Sequence, residues 1–346
     1  MDVRPFDALL LVSFGGPEHP DDVVPFLENV TAGRGIPRER LEQVGEHYFR
    51  FGGRSPINEL NRELIDSIRK DFAENGIDLP VYWGNRNWDP YLRDTMGQMS
   101  KDGITNAAYF VTSAYSSYSG CRQYREDLYD ARLGFDVELT RLRLYFNHPG
   151  FVTPFVEATS SELANAPAGT HVVFVTHSIP DAMDAASGGP GRHAYRKQHE
   201  EVAAMVAEGA GAARWSLAFC SRSGSPHMRW LEPDVNDHLH ELASEGVESV
   251  VVVPIGFVSD HMEVLYDLDV EAAATAKKRG LRYERADTPG EHARFTAMVR
   301  DLVLERASVE RGEQPERATV GGFPPNPDVC PADCCVNPRS PLPTVP

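Results

Sequence analysis

Six short runs of the chain are almost continuously apolar: residues 8–14, 80–83, 107–112, 171–176, 214–219 and 249–257. Runs of this length, without polar alternation, suit parallel strands covered on both faces. Between them lie stretches with helical spacing, at 56–74, 121–133, 191–208, 231–245 and 259–278. Strand and helix in alternation predict an α/β fold built on doubly wound parallel sheets. The rhythm pauses between about 142 and 169, where a helix over 154–165 can cross between two halves. A length of 346 residues is natural for two domains. We therefore divide the chain into domains 1–155 and 156–310, the second closing on a long helix at 291–310. The remainder, 311–346, holds nine of the 26 prolines and cannot be helix or central strand. It is either disordered or tied down by something other than a core.

Charge narrows the partners. The chain carries 34 basic and 51 acidic residues, a formal net charge of -17. Nucleic acid and anionic lipid both select basic surfaces, so neither is expected as a partner. The apolar run at 8–12 is too short for the core of a signal peptide, and no stretch approaches the ~20 residues that span a bilayer. The expected location is the cytoplasm.

Four features carry chemistry. His177 directly follows the strand run 171–176, in HVVFVTHSIP. Ligands of open α/β sheets bind beyond the carboxyl ends of strands, and a histidine there suits proton transfer or metal ligation. In the stretch 259–278, which Ser259 is expected to N-cap, Glu263, Asp267 and Glu271 recur every four residues. That spacing stacks three carboxylates on one helix face, a plausible path for a hydrated divalent cation, with Asp260 and His261 beside it. In SFGGP, at 13–17, paired glycines allow a tight turn and close approach of backbone to a ligand. Finally, three of the five cysteines, Cys330, Cys334 and Cys335, crowd into the proline-rich tail. An odd thiol count in a reducing compartment argues against a disulfide framework, and the clustering reads as metal binding. Four ligands are usual, so Cys121 or Cys220 must complete the set.

The motifs LLLVSFGGP, GGRSPINE, SAYSSYSGCRQYRED, VTHSIP and PIGFVSDHMEVLYDLD, in this order, closely resemble the ferrochelatase family. The resemblance runs from about residue 8 to 303, and the cysteine tail resembles the actinobacterial branch. It implies two Rossmann-like, chelatase-type domains with a porphyrin cleft between them. It further implies a lyase of haem biosynthesis that inserts ferrous iron into a porphyrin, most simply coproporphyrin III to give coprohaem. Two alternatives stay open: protoporphyrin IX as the substrate, or a haem carrier or redox protein. By the same resemblance His177 and Glu263 are catalytic groups facing each other across the macrocycle, both touching substrate iron, with Asp267 and Glu271 on the iron path. Ser55, Tyr124 and Arg34 match positions near the porphyrin and its propionates. The cysteines match ligands of a two-iron two-sulfur cluster.

The chain departs from some relatives at Phe14, where they carry an iron-ligating tyrosine, and at Thr31 and Ala32, where they carry arginines. No membrane-associating lip is apparent, and a monomer is expected. For the fourth cluster ligand Cys121 is preferred. It follows the loop-like SYSG and can meet a returning tail, whereas Cys220 ends a strand run and points toward the cleft.

Overall fold

The computed structural model describes residues 1–223, 227–337 and 342–346. In chain order the first half comprises β1 (Ala8–Ser13), α1 (Val23–Val30), α2 (Arg38–Phe49), α3 (Ile57–Glu74), β2 (Val81–Asn85), α4 (Leu92–Lys101), β3 (Asn106–Val111), α5 (Gln123–Arg132) and β4 (Glu138–Arg141). After α6 (Pro149–Ala164) the second half follows: β5 (His171–His177), α7 (Asp181–Ala186), α8 (Ala194–Ala210), β6 (Trp215–Cys220), α9 (Val235–Ser244), β7 (Ser249–Val253), α10 (Ala273–Arg279), β8 (Arg282–Arg285) and α11 (Ala293–Glu310). All strand pairs are parallel, in the orders β2-β1-β3-β4 and β6-β5-β7-β8. The two halves thus repeat one topology. Its switch points lie at β1/β3 and β5/β7, where a crevice opens beyond the carboxyl ends.

Each sheet buries both faces, as the continuous apolar runs require. One face of the first packs under α4 and α5, through Leu92, Met96 and Leu128. One face of the second packs under α9 and α10, through Leu239 and Ala276. The remaining two faces share a single core with α3, α6, α8 and α11, in which Leu11, Phe110, Phe174 and Val253 meet Ile68, Phe155, Val206 and Phe295. α6 is therefore a buried element of the common core, longer at its start than the sequence pattern implies. Pro154 lies inside it without ending it. None of the described helices is long and apolar enough to cross a membrane.

Several boundaries move for local reasons. Pro254 stops β7 at Val253. Pro233 delays α9, whose N-cap is Asp234, accepting from Asn236 N at 2.8 Å. Ser259 does not cap the carboxylate helix: the cap bond is Glu263 N to His261 Nδ1, 3.2 Å. The edge strands β4 (ELTR) and β8 (RYER) were absent from the apolar pattern because they carry charge.

The described part of the tail is tied rather than loose. Its irregular backbone presents carbonyls that helices or sheets would otherwise satisfy, and buried arginines of the first half take them. Arg141 donates to Pro327 O (2.8 Å), Arg143 to Ala318 O (2.8 Å), Arg122 to Ala332 O (2.8 Å) and Arg125 to Val345 O (2.8 Å). Arg143 is also held by two bonds to Glu305 of α11, at 2.7 and 3.0 Å.

Candidate functional site

β5 runs one residue further than the apolar run, so His177 is its last residue, paired in register with Cys220 of β6. The His177 Nδ1 contacts Ser178 O at 2.5 Å. A carbonyl only accepts, so Nδ1 carries the proton and Nε2 faces outward. There it meets Glu263 Oε1 at 3.4 Å, with the two side chains 31% and 48% exposed. Burial alone would lower the histidine. The Glu263 carboxylate, with the Ser178 carbonyl, more than reverses this and pushes His177 up to about 9. Glu263 is drawn down to about 2, its burial overcome by His177 and His261.

Behind Glu263 the helix is a π-helix over Val264–Ala272 before it tightens into α10. Residues four apart remain on one side, so Asp267 and Glu271 follow Glu263 in a file. Burial chiefly, with Glu263 and Glu271 adding to it, pushes Asp267 up to about 7 against a hydrogen bond from Ser221. Burial and Asp234 raise Glu271 as well. Ser221 follows β6 with φ 59, a left-handed conformation that non-glycine residues adopt only under constraint.

The first half contributes the opposite wall. Gly15, at φ +81, and Gly16 turn the chain after β1; a Cβ on Gly16 would stand 2.8 Å from that of Ser55. Arg86, the residue after β2, lies over the rings of Phe14 (5.7 Å) and Tyr124 (4.9 Å) and pairs with Asp127 at 3.0 Å. Ser55, Phe14 and Tyr124 are thus gathered around the end of β1. Arg34 lies on the exposed connection between α1 and α2, with no side-chain partner among the described residues. From α2, His47 stacks on Tyr266 of the carboxylate helix with centroids 3.7 Å apart, and Arg50 caps the same ring. The two crevices therefore face each other across one cleft. The sequence reading missed Arg86, Ser221 and His47. The first two follow strand ends directly, the same signal that picked out His177.

The cysteines separate into two places. Cys220 stays at the cleft, its Sγ 3.3 Å from Ser221 Oγ. Cys121, on a π-turn ahead of α5, meets the tail. Arg141 donates to Cys121 Sγ at 3.3 Å and to Cys330 Sγ at 3.1 Å. Cys330 also meets the Cys334 thiol, and Cys334 Sγ lies 3.6 Å from Cys335 Sγ. Hydrogen bonds from the Cys121 and Cys334 thiols, with Arg141 beside them, hold Cys330 far below the ordinary thiol value. Among the described residues, no three His, Cys, Asp or Glu side chains surround a point as ligands of a single ion.

Two parallel α/β halves with facing crevices are the fold of solved metal chelatases. The solved SirB of Bacillus subtilis with Fe3+ has it at TM-score 0.55 and 12% identity, covering 88% of this chain and 97% of that one. So does the sirohydrochlorin chelatase SirB of Bacillus subtilis subspecies spizizenii with cobalt, at TM-score 0.53 and 11% identity, covering 88% and 97%. The Ferrochelatase family model matches residues 6–307, and the chain belongs to the ferrochelatase family. It is 55% identical to the coproporphyrin III ferrochelatase of Streptomyces griseus, over 96% of this chain and 94% of the relative. It is 49% identical to the ferrochelatase of Rhodopirellula baltica, over 98% and 96%.

Proposed function

We infer that this enzyme inserts ferrous iron into coproporphyrin III, giving coprohaem, with His177 and Glu263 as its catalytic pair. The observation that carries the reading is the outward-facing His177 Nε2 opposite Glu263, backed by a file of two further carboxylates. Choice of coproporphyrin III rests on the relatives that bear that name.

Metallation removes two pyrrole protons and strips water from the iron. Held by Ser178 O on Nδ1, neutral His177 offers Nε2 as the base that takes a pyrrole proton. Asp267, poised near neutrality, exchanges protons with Glu263 on one side and Glu271 on the other. The carboxylates also supply oxygen ligands that replace water around the incoming iron. As found, the 3.4 Å contact leaves no space for a macrocycle between His177 and Glu263. Contact on both faces of a planar ring needs about 3.5 Å each, roughly 7 Å in all. Porphyrin entry must therefore part this ion pair, which lowers the pKa of His177 and frees it to act as a base.

The four thiols of Cys121, Cys330, Cys334 and Cys335 hold a two-iron two-sulfur cluster. What supports this is their connection as a chain, Cys121 to Cys330 to Cys334 to Cys335, beside a buried guanidinium. Four thiolates in a row suit a two-metal cluster, for which four cysteines are the usual set, better than a single ion. The cluster would supply order and charge at the tail, with ligands distant in sequence from His177 and Glu263. Purified protein supplied anaerobically with ferrous iron and either coproporphyrin III or protoporphyrin IX tests the main reading. Faster metallation of coproporphyrin III is expected. Preference for protoporphyrin IX under matched detergent would refute the substrate assignment, and metallation of neither would refute the activity.

A further inference from the structure

We propose that Thr176, Tyr195 and His199 form a positioning assembly that fixes the backbone of His177 from behind. All three are buried. Tyr195 donates its hydroxyl to the His177 carbonyl at 2.8 Å. The Thr176 hydroxyl lies 2.9 Å from Tyr195 Oη and 2.9 Å from His199 Nε2. On the far side of its ring, His199 Nδ1 lies 2.7 Å from the carbonyl of Tyr195.

The proton count orders this assembly. The Tyr195 carbonyl can only accept, so His199 Nδ1 carries a proton. Burial holds His199 neutral, so Nε2 must accept, and its donor is the Thr176 hydroxyl. The Tyr195 proton then serves the His177 carbonyl, with the Thr176 oxygen beside it. The Thr176 proton thus has one direction, toward His199, and the Tyr195 proton is shared between the His177 carbonyl and the Thr176 oxygen. β5 ends at His177 with an unpaired carbonyl, and this assembly completes it.

The assembly is also anchored to the other half. Tyr115 stacks on the His199 ring, with centroids 3.5 Å apart, and donates to Ile255 O at 2.8 Å. Gln198, one residue before His199, exchanges two hydrogen bonds with Ser116, at 2.8 and 3.0 Å. Gly256 closes the remaining side: a Cβ there would stand 2.1 Å from Thr176 Oγ1. Thus α8, the end of β5 and the segment after β3 are locked where the halves meet, directly beneath His177. An error of about 1 Å in a reacting group can cost on the order of a hundredfold in rate, so a fixed carbonyl is of direct consequence to catalysis.

The inference rests on the catalytic role of His177 given above. Tyr195→Phe and the isosteric Thr176→Val are compared with wild type, using ferrous iron and coproporphyrin III. Each is expected to lose at least about tenfold in kcat with porphyrin KM within about twofold. Thr176→Ser, which keeps the hydroxyl, is expected to regain most of the turnover. Wild-type kcat in both variants, losses confined to KM, or no rescue by serine overturns the proposal. His177→Ala, run alongside, separates the two claims. Retained turnover there refutes the role of His177 itself, whereas loss there with wild-type kcat in the other two refutes only the positioning. Should the variants fail to fold, nitrogen NMR of wild type decides: a protonated Nε2 on His199 overturns the assembly, and a protonated Nδ1 with bare Nε2 upholds it.

Discussion

Replacing Glu263 with glutamine keeps the shape of the pair and removes its charge. At 3.4 Å, two unit charges attract by about 1 kcal/mol in water and about 5 kcal/mol at an effective dielectric of 20. The cleft is open and Glu263 is 48% exposed, so the lower part of that range applies, about 1.5–3 kcal/mol. At 1.36 kcal/mol per pH unit, His177 should titrate about one to two units lower in Glu263→Gln. The sign follows from the raised value: the partner favours charged His177, so its loss favours the neutral ring. At pH 8.5 wild-type His177, at about 9, is still mostly charged; in the variant, one to two units lower, it is largely neutral. For stability, the raised histidine contributes fully below its unfolded value of 6.5 and fades as pH rises through about 9. The depressed carboxylate contributes above 4.5 and fades as pH falls toward about 2. Histidine-labelled NMR titration measures this, with His177→Ala identifying the resonance among 12 histidines. An unchanged His177 midpoint in Glu263→Gln would refute the ion pair. Turnover should fall more in this variant than in Asp267→Asn or Glu271→Gln, since Glu263 alone touches His177.

Asp267 is raised by burial to about 7, so its stabilising contribution is complete below 3.8 and lost as pH rises through about 7. Asp267→Asn should therefore raise Tm by a few degrees at pH 8 and little at pH 4; an equal effect at both would contradict the assignment. Anaerobically purified Cys121→Ser should be colourless while Cys220→Ser keeps the visible spectrum of the cluster, and the reverse outcome would move the fourth ligand to Cys220.

What was legible in the sequence depended on burial. The central strands β1, β3, β5 and β7 are buried on both faces, so packing alone dictates their residues and their apolar runs stood out. β4 and β8 border one neighbour each, and their charged residues serve other tasks: Arg141 reaches the thiols and Arg285 pairs with Asp260 and Asp269. The carboxylate file was visible as a four-residue period, but its π-helical form was not, since no side-chain pattern encodes the wider turn. His177 could be found because it follows a strand; that it faces Glu263 came only from the family resemblance, since the two stand 86 positions apart. In the tail the crowding of cysteines was legible, but the partners of its backbone carbonyls were not: Arg122, Arg125, Arg141 and Arg143 stand some 200 residues earlier and look like surface charge in the sequence.

Those arginines bear on what orders the tail. Arg143 is 2% exposed and Glu305 8%, and Glu305 also accepts from Arg317 at 2.9 Å. Glu305→Gln leaves Arg143 buried without its counter-charge, which costs about 3–5 kcal/mol and releases the chain around Ala318. Loss of the proposed cluster would act elsewhere, on Cys330 to Cys335, whose ties to the second half are Cys335 N to Ala186 O at 3.2 Å and Gly188 N to Cys335 Sγ at 3.3 Å. If arginines order the first stretch of the tail independently, the two lesions should open different bonds. Limited proteolysis should cut Glu305→Gln near Arg317 and Cys121→Ser near Asp333, each sparing the other's site. Cleavage of Cys121→Ser throughout 311–337 would mean that the cluster, not the guanidinium–carbonyl bonds, orders the whole segment.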